Sequence, residues 1–287
     1  MGGEKVYFYS EGLKLEGLLY KQSSSEPRPG IVVCQGFGGV KETTAAPICE
    51  FLNSKGYVTL CLDYRYWGAS EGDPRGRVVP LDQVQDIRNA MTFLQQQPGV
   101  DSDKIGLYGS SYGGADVIYI SAIDKRSKCT VATVPVANTL EWLRSIRAHW
   151  EWVQLMNDVA QNRVQMVLTG ESKYVDRSYI MTSDPDTAEF VKNAPPTSMS
   201  LESVEHLIAF NPEEYIDKVA PCPLQIIYSE KDILVNPEQQ IRAFGKANEP
   251  KRLCMLKGAK HFDVYNARFE ETMKHTFEWF NQWLPVE

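Results

Sequence analysis

Ile105–Gly106–Leu107–Tyr108–Gly109–Ser110–Ser111–Tyr112–Gly113–Gly114–Ala115–Asp116–Val117–Ile118–Tyr119–Ile120 is the stretch whose reading decides the fold. It opens on a short apolar run that reads as a buried strand and closes on small and apolar residues that read as a packed helix. Between the two stands a G-x-S-x-G pentapeptide, residues 109–113. A strand that feeds a helix through so sharp a turn forces the central Ser111 into a strained backbone conformation, with its hydroxyl exposed at the sheet's edge. The flanking glycines remove the Cβ atoms that would clash in the bend. The bare pentapeptide also fits a Gly-rich structural turn. Its strand–turn–helix setting is what makes Ser111 the candidate nucleophile.

Working outward, strand-like runs alternate with helical ones, which predicts an α/β fold with a mainly parallel sheet and helices on both faces. Residues 6–10 and 15–21 read as antiparallel edge strands, and 22–30, rich in Ser and Pro, as a loop. Residues 30–35 form the first buried strand, followed by a helix over 43–55 that stops at Gly56. A strand over 58–64 and a helix over 81–97 precede the serine turn, and a strand over 129–136 follows it. The alternation then stops. Residues 138–210 read as helical with no convincing strand, punctuated by Asp184–Pro185 and Ala194–Pro195–Pro196. Trp142, Ile146, Trp150, Val153 and Met156 recur at helical spacing, so one amphipathic helix with an aromatic face is expected there. The rhythm resumes with a strand over 224–229, a helix over 237–245, a strand over 252–256 and a last apolar-striped helix. An all-helical insertion between strands of an open sheet reads as a lid over the strands' carboxyl ends, where ligands bind.

Bulk properties narrow the class. The 287 residues suffice for one large domain, and 43% hydrophobic with 23% charged residues is ordinary globular composition. The net charge of -7, without a compensating basic run, argues against nucleic acid or an anionic membrane as partner. No apolar stretch approaches about 18 residues, so no membrane span is expected. The start, Met1–Gly2–Gly3–Glu4–Lys5, lacks the layout of a secretion signal. Six scattered cysteines form no C-x-x-C or Cys/His cluster, so neither zinc nor a disulfide framework is indicated, and the cytoplasm is the expected location.

A serine hydroxyl is a poor nucleophile until a base removes its proton. Of the four histidines, His149 and His206 fall in the insertion and His275 in the last helix, whereas His261 lies in a loop after a strand. Parallel strands end on one side, so that loop emerges at the same edge as Ser111, and His261 is the candidate base. A third group must hold the imidazole in its tautomer and stabilise its charged form. Asp232, one strand earlier, is that candidate, with Glu230 the alternative and Asp263 expected to cap the last helix. Charge developing on a carbonyl oxygen needs fixed donors, here the backbone N–H groups of Tyr112 and of Phe37 in Gln35–Gly36–Phe37–Gly38–Gly39. These glycines match neither nucleotide-binding spacing, so no nucleotide is expected.

On these residues the chain resembles the α/β-hydrolases, near the group linking dienelactone hydrolases, acetyl-xylan esterases, X-Pro dipeptidyl-peptidase-like enzymes and polyketide-tailoring hydrolases. Gln35–Gly36–Phe37–Gly38–Gly39 stands where the family has its His-Gly-x-x-Gly oxyanion loop. Asp63–Tyr64–Arg65–Tyr66–Trp67–Gly68–Ala69–Ser70 resembles its Asp-Tyr-Arg-Gly-x-Gly-x-Ser stretch. The serine turn, Asp232 and His261–Phe262–Asp263 complete a likeness over nearly the whole chain. Three positions depart: Gln35 replaces a histidine but keeps the backbone donor, Ser229 replaces the glycine of Gly-x-x-Asp, and the nucleophile is serine where dienelactone hydrolases proper use cysteine. The resemblance implies a mostly parallel eight-stranded sheet. Residues 1–137 and 211–287 would form the core, and residues 138–210 a helical lid inserted after the sixth strand.

It also implies attack on the acyl carbon of a small-molecule ester, thioester, lactone or amide, through an acyl-enzyme, with no metal or cofactor. A serine hydrolase is the leading expectation; acyl transfer and peptidase or amidase action use the same intermediate. A ligand-binding protein on this scaffold would be expected to lack part of the triad. Trp142 and Trp150, with Trp152, Leu143 and Met156, either wall the pocket or dock the lid onto the body. Tyr66 and Trp67 follow a strand near the expected mouth and are further candidates for substrate contact. Arg144 and Arg147 either meet a substrate carboxylate or face solvent. A homodimer and a monomer are equally compatible with the sequence.

Overall fold

Successive side chains of a strand point to opposite faces, and in the centre of this protein both directions are apolar. The computed structural model describes residues 2–22, 26–182, 184–192 and 197–286. Its main sheet has eight strands: β1 (Glu4–Ser10), β2 (Leu13–Tyr20), β3 (Arg28–Cys34), β4 (Val58–Leu62), β5 (Val100–Ser110), β6 (Ser127–Thr133), β9 (Leu224–Ser229) and β10 (Lys251–Leu256). They lie in the order β1-β2-β4-β3-β5-β6-β9-β10. The β1–β2 and β2–β4 pairs are antiparallel and the others parallel. Val32, Leu60, Leu107 and Ile226 enter one core, while Val33, Cys61, Tyr108 and Ile227 enter the other. Both faces must therefore be covered, which is the condition of a parallel sheet.

Helices meet that condition. On the first face lie α2 (Pro80–Gln95), α3 (Tyr112–Ile123) and α9 (Pro237–Lys246), through residues such as Ile87, Ile118 and Ala243. On the second lie α1 (Ala45–Ser54) and α10 (Phe269–Trp283), through Ile48, Leu52, Met273 and Phe280. Ten of the twelve residues of α3 are buried, in keeping with its mostly small and apolar sequence. The fold is the expected mostly parallel eight-stranded α/β sheet covered on both faces. No helix among the described residues is long and apolar enough to cross a membrane.

The segment between β6 and β9 holds α4 (Thr139–Ser145), α5 (His149–Thr169), β7 (Tyr174–Asp176), α6 (Arg177–Ile180), α7 (Pro185–Phe190), β8 (Ser198–Ser200) and α8 (Ser203–Ile208). Two expectations fail here. The segment is not all-helical, because β7 and β8 pair antiparallel, with Val175 opposite Met199. Strands of three residues are too short to display an alternating pattern, and their partners lie far apart in sequence. Nor do Trp142 and Trp150 share a helix. The chain breaks after Ser145, and Glu151 Oε2 accepts from Ala148 N (2.7 Å) to start a new helix. A periodic pattern can run through such a break without betraying it. Of the expected loop at 22–30, residues 23–25 lie outside the described residues, as does the Ala194–Pro195–Pro196 break.

The two ends of this segment are clamped together. Asn138 N donates to Gln239 Oε1 (3.0 Å) and Gln239 Nε2 returns a bond to Asn138 O (3.1 Å). Asn138 Nδ2 donates to Glu213 Oε2 (3.3 Å), and Glu213 N to Ala137 O (2.9 Å). Arg242 adds a two-pronged contact to Glu213 (2.7 and 3.0 Å), and Lys246 lies 3.1 Å from the same carboxylate. Burial alone would raise the Glu213 pKa, but the bonds from Arg242, Lys246 and Asn138 outweigh it and bring it down to about 2. A depressed carboxylate contributes stability above its unfolded pKa and loses it as pH falls through the folded value. Glu213→Gln is therefore expected to lower unfolding free energy at neutral pH by about 1.5–3 kcal/mol, the range for hydrogen bonds to a charged group. The gap to the parent protein should close as pH falls from 4.5 towards about 2, read from urea melts across that range.

Candidate active site

Ser111 sits between β5 and α3 with φ 54° and ψ −118°, a region that costs a non-glycine residue on the order of 1–3 kcal/mol. Its backbone is tied on both sides. Ser111 N donates to Thr133 O (2.8 Å), while Ser111 O accepts from Gly114 N (3.0 Å) and Val136 N (3.2 Å). The glycines around it answer to close backbone approach. A Cβ on Gly109 would lie 2.1 Å from Gly113 O, and one on Gly113 would lie 2.5 Å from Cys34 O and 2.6 Å from Gln35 O. The same approach brings the loop after β3 against the serine, since a Cβ on Gly36 would stand 3.2 Å from Ser111 Cβ.

That loop is held from below. Gln35 is buried and its Nε2 donates to Leu62 O (2.8 Å) at the end of β4. Just beyond the loop, Lys41 is buried with Asp63: its N donates to Asp63 Oδ1 (2.9 Å) and its Nζ to Asp63 Oδ2 (2.6 Å). Glu16 lies 2.9 Å from the same ammonium. Burial would lower the Lys41 pKa, but bonds to Asp63, Glu16 and Glu42 hold it above the ordinary range. Asp63 also accepts from Ala69 N (2.9 Å), so the 63–70 stretch supports the loop without facing the serine.

His261 opens a short 3₁₀ turn, His261–Tyr265, after β10, and is almost fully buried. Its Nε2 is 3.0 Å from Ser111 Oγ and its Nδ1 2.7 Å from Asp232 Oδ2. The other oxygen of Asp232 accepts from Leu234 N (3.0 Å) and Val235 N (2.8 Å), which leaves Oδ2 for the imidazole. A carboxylate there accepts, so Nδ1 carries the hydrogen and Nε2 is open to the serine proton. Lys231 N donates to Ala259 O (2.8 Å) and Glu230 N to Leu256 O (3.1 Å), tying the acid's loop to the base's. Glu230, the alternative acid, instead accepts from Gly258 N (2.7 Å). Asp263 caps not the last helix but the turn that carries His261, accepting from Lys260 N at 2.9 Å. His149 and His206 are exposed, and His275 lies on α10.

A half-open cleft, with about 520 Å³ of space including that open to solvent, lies at these residues. Gly36, Phe37, Ser111 and His261 line its base; Met181, Phe190, Leu234 and Phe262 line its sides, with Arg177, Thr43 and Thr44. Phe190, from the insertion, stacks on Phe262 (centroids 4.1 Å, 14°), and Lys260 pairs with Asp186 at 2.7 Å. Phe37 thus lies at the cavity and Tyr112 directly follows the serine, where the two backbone donors were expected. The four aromatic candidates for substrate contact do not line this cavity. Trp142 is buried behind it, edge-on to Phe37 (5.5 Å) and 6.1 Å from Tyr112. Trp67 donates its Nε1 to Arg77 O (2.5 Å), and Tyr66 its hydroxyl to Asp82 (3.1 Å). Trp150 is 68% exposed on α5. Arg144 is exposed, while Arg147 donates to the carbonyl of Ile180. The residues that do line the sides went unnoticed. Only Phe262 carried a signal, being next to the histidine; Arg177, Met181 and Phe190 arrive from the insertion.

Asp116, one turn along α3, is fully buried with no hydrogen-bond partner among the described residues. Burial pushes its pKa well above the usual range and so favours the protonated form.

Residues 25–264 match the model of the family described as serine aminopeptidase, S33. The chain is 27% identical over 289 residues to the thiohydrolase aneE of Aspergillus aculeatus, covering 94% of this chain and 90% of that one. It is 28% identical over 294 residues to the polyketide transferase af380 of Aspergillus fumigatus, covering 94% of each. The crystal structure of the α/β-hydrolase GrgF from Penicillium sp. sh18 superposes with a TM-score of 0.86 at 22% identity, over 99% of both chains, a likeness of fold.

The glycine geometry makes a contrast that stability measurements can read. Gly113→Ala must displace two backbone carbonyls and is expected to cost about 3 kcal/mol or more. Gly245→Ala, in α9 with nothing within 4 Å of the added Cβ, is expected to be neutral or to stabilise by about 0.5–1 kcal/mol. Urea unfolding of the two variants checks both signs.

Proposed function

The chain belongs to the serine aminopeptidase S33 family of α/β-hydrolases, and on that footing we propose that it is a serine hydrolase. Its substrate in this reading is an ester, thioester or lactone of a moderately apolar small molecule. The observation that carries the reading is the unbroken relay from Ser111 Oγ to His261 Nε2 (3.0 Å) and from His261 Nδ1 to Asp232 Oδ2 (2.7 Å), opening on an apolar cavity.

The chemistry follows from that relay. As Ser111 Oγ attacks the acyl carbon, its proton passes to His261 Nε2, and the carbonyl π pair moves onto oxygen. Backbone N–H groups of Phe37 and Tyr112 receive that oxyanion. Asp232, held by two amides, stabilises the imidazolium and keeps it oriented. The imidazolium then gives its proton to the leaving alcohol or thiol, and the acyl-serine remains. Water repeats the sequence in reverse roles and frees the acid. Residues 138–210 act in this reading as a lid, since Arg177, Met181 and Phe190 form one side of the cavity. Free, mostly buried thiols accord with a cytoplasmic location.

Acyl transfer is the second reading, favoured by the relative named a polyketide transferase. An aminopeptidase must hold an ammonium with an acid. The charged side chain lining this cavity besides His261 is Arg177, a cation, and that disfavours the peptidase reading.

Ser111→Ala is expected to abolish labelling by a fluorophosphonate probe while the thermal transition is kept; undiminished labelling would move the nucleophile elsewhere. Asp232→Asn is expected to lower kcat on a p-nitrophenyl ester by a factor on the order of 10⁴ through the wrong tautomer. A near-parental rate would remove Asp232 from the relay. With an added alcohol acceptor, hydrolysis predicts mainly free acid and transfer mainly new ester, which chromatography of the products separates.

A further inference from the structure

We infer that Arg177 is the recognition residue of this cavity and that the substrate carries an anionic oxygen group, a carboxylate or phosphate, besides its acyl carbon. The inference rests on the hydrolase reading only for the identity of the reacting bond. Arg177 is half-buried on the first turn of α6 and lines the cavity with Ser111 and His261. Its backbone is held at both ends: N donates to Thr197 O (2.9 Å) and O accepts from Met181 N (2.8 Å). Its stem crosses the oxyanion loop, since a Cβ on Gly38 would lie 3.5 Å from Arg177 Cδ.

No carboxylate among the described residues meets this guanidinium; Arg147 also meets none among them, but it bonds the carbonyl of Ile180 and does not line this cavity. Arg65 bonds Asp86 and Glu11 (2.7 Å each), Arg126 bonds Asp124 (2.7 Å), and Arg242 bonds Glu213 (2.7 Å). The acid next to Arg177 is engaged elsewhere, as Asp176 Oδ1 accepts from Ser178 N (2.8 Å) and Ser178 Oγ (2.6 Å). Burial without such a partner lowers the Arg177 pKa, a cost that a bound anion would reverse. A second feature points the same way. Thr43 and Thr44, at the amino end of the ten-residue α1, line the same cavity, and Thr44 makes no side-chain cap. The positive end of a helix and two hydroxyls therefore face a cavity whose fixed cation is a planar fork suited to paired oxygens. No acid of the protein competes for it among the lining residues. The substrate class is thus an acyl compound with a second, anionic end: the half-ester of a dicarboxylic acid, or a thioester on a phosphate-bearing carrier arm.

Two matched pairs test this. Mono-p-nitrophenyl esters of the succinate-to-suberate series are compared with their methyl esters, and butyryl-phosphopantetheine with butyryl-pantetheine. The parent protein is expected to prefer the anionic member of one pair in kcat/KM, and which pair names the source of the anion. Arg177→Met should lower that preference on the order of 10–100-fold, the effect of losing a charge-assisted hydrogen bond, with Arg177→Lys keeping part of it. In the Ser111→Ala background, calorimetric affinity is measured for the anionic member of both pairs, and for the one that binds it should fall by a similar factor with Arg177→Met. No preference in either pair, or an unchanged preference and affinity in folded Arg177→Met, overturns the inference. Absence of turnover and of fluorophosphonate labelling would remove the hydrolase reading instead, while the binding arm still decides on Arg177.

Discussion

One residue held at positive φ organises this protein. Ser111 keeps its strained conformation because the sheet takes its N–H at Thr133, α3 takes its carbonyl through Gly114, and Val136 adds a third bond. The local cost of about 1–3 kcal/mol is small beside the packing that enforces it. Val117, Ile118 and Ile120 on the same helix are fully buried, each contributing about 1.5–3 kcal/mol. The glycines that permit the bend also let α3 touch the carbonyls of Cys34 and Gln35. Ser111 and the loop after β3 are therefore brought together by close backbone contact.

The polar groups around this turn divide by what satisfies them. Asp232 has its inner oxygen filled by two amides, so its outer one is directed at His261. Lys41, Asp63 and Glu16 neutralise one another under the oxyanion loop. Asp116 has no partner among the described residues, and burial favours its uncharged form. Arg177, the charged lining residue outside the relay, meets no carboxylate among the described residues, its neighbour Asp176 being engaged by Ser178. An unpaired cation in an apolar cleft is unfavourable until something negative arrives, and that asymmetry links the structure to a class of ligand.

The insertion contributes a wall and not a closed unit. Its root is tied to α9 through Asn138, Gln239, Glu213 and Arg242. Its far part leans on the histidine loop through Phe190 on Phe262 and Asp186 on Lys260. Between these two attachments lie the residues that shape the cavity.

The sheet, its flanking helices, Ser111, His261 and Asp232 could be read from the chain, because each depends on local pattern. Short apolar runs, glycines about a bend and loops at the ends of parallel strands are all properties of neighbouring residues. The aromatic residues of the insertion could not be read that way. Trp142 and Trp150 share a spacing but not a helix, and the break at residues 146–148 turns one into the core and the other to solvent. The β7–β8 pair and the cavity side formed by Arg177, Met181 and Phe190 depend on contacts between distant segments, whose geometry no local period encodes. Sequence alone thus determined the edge of the sheet at which Ser111, His261 and Asp232 meet. Which side chains surround the reacting atoms was decided only by tertiary packing, because a wall is a relation between surfaces and not a property of either.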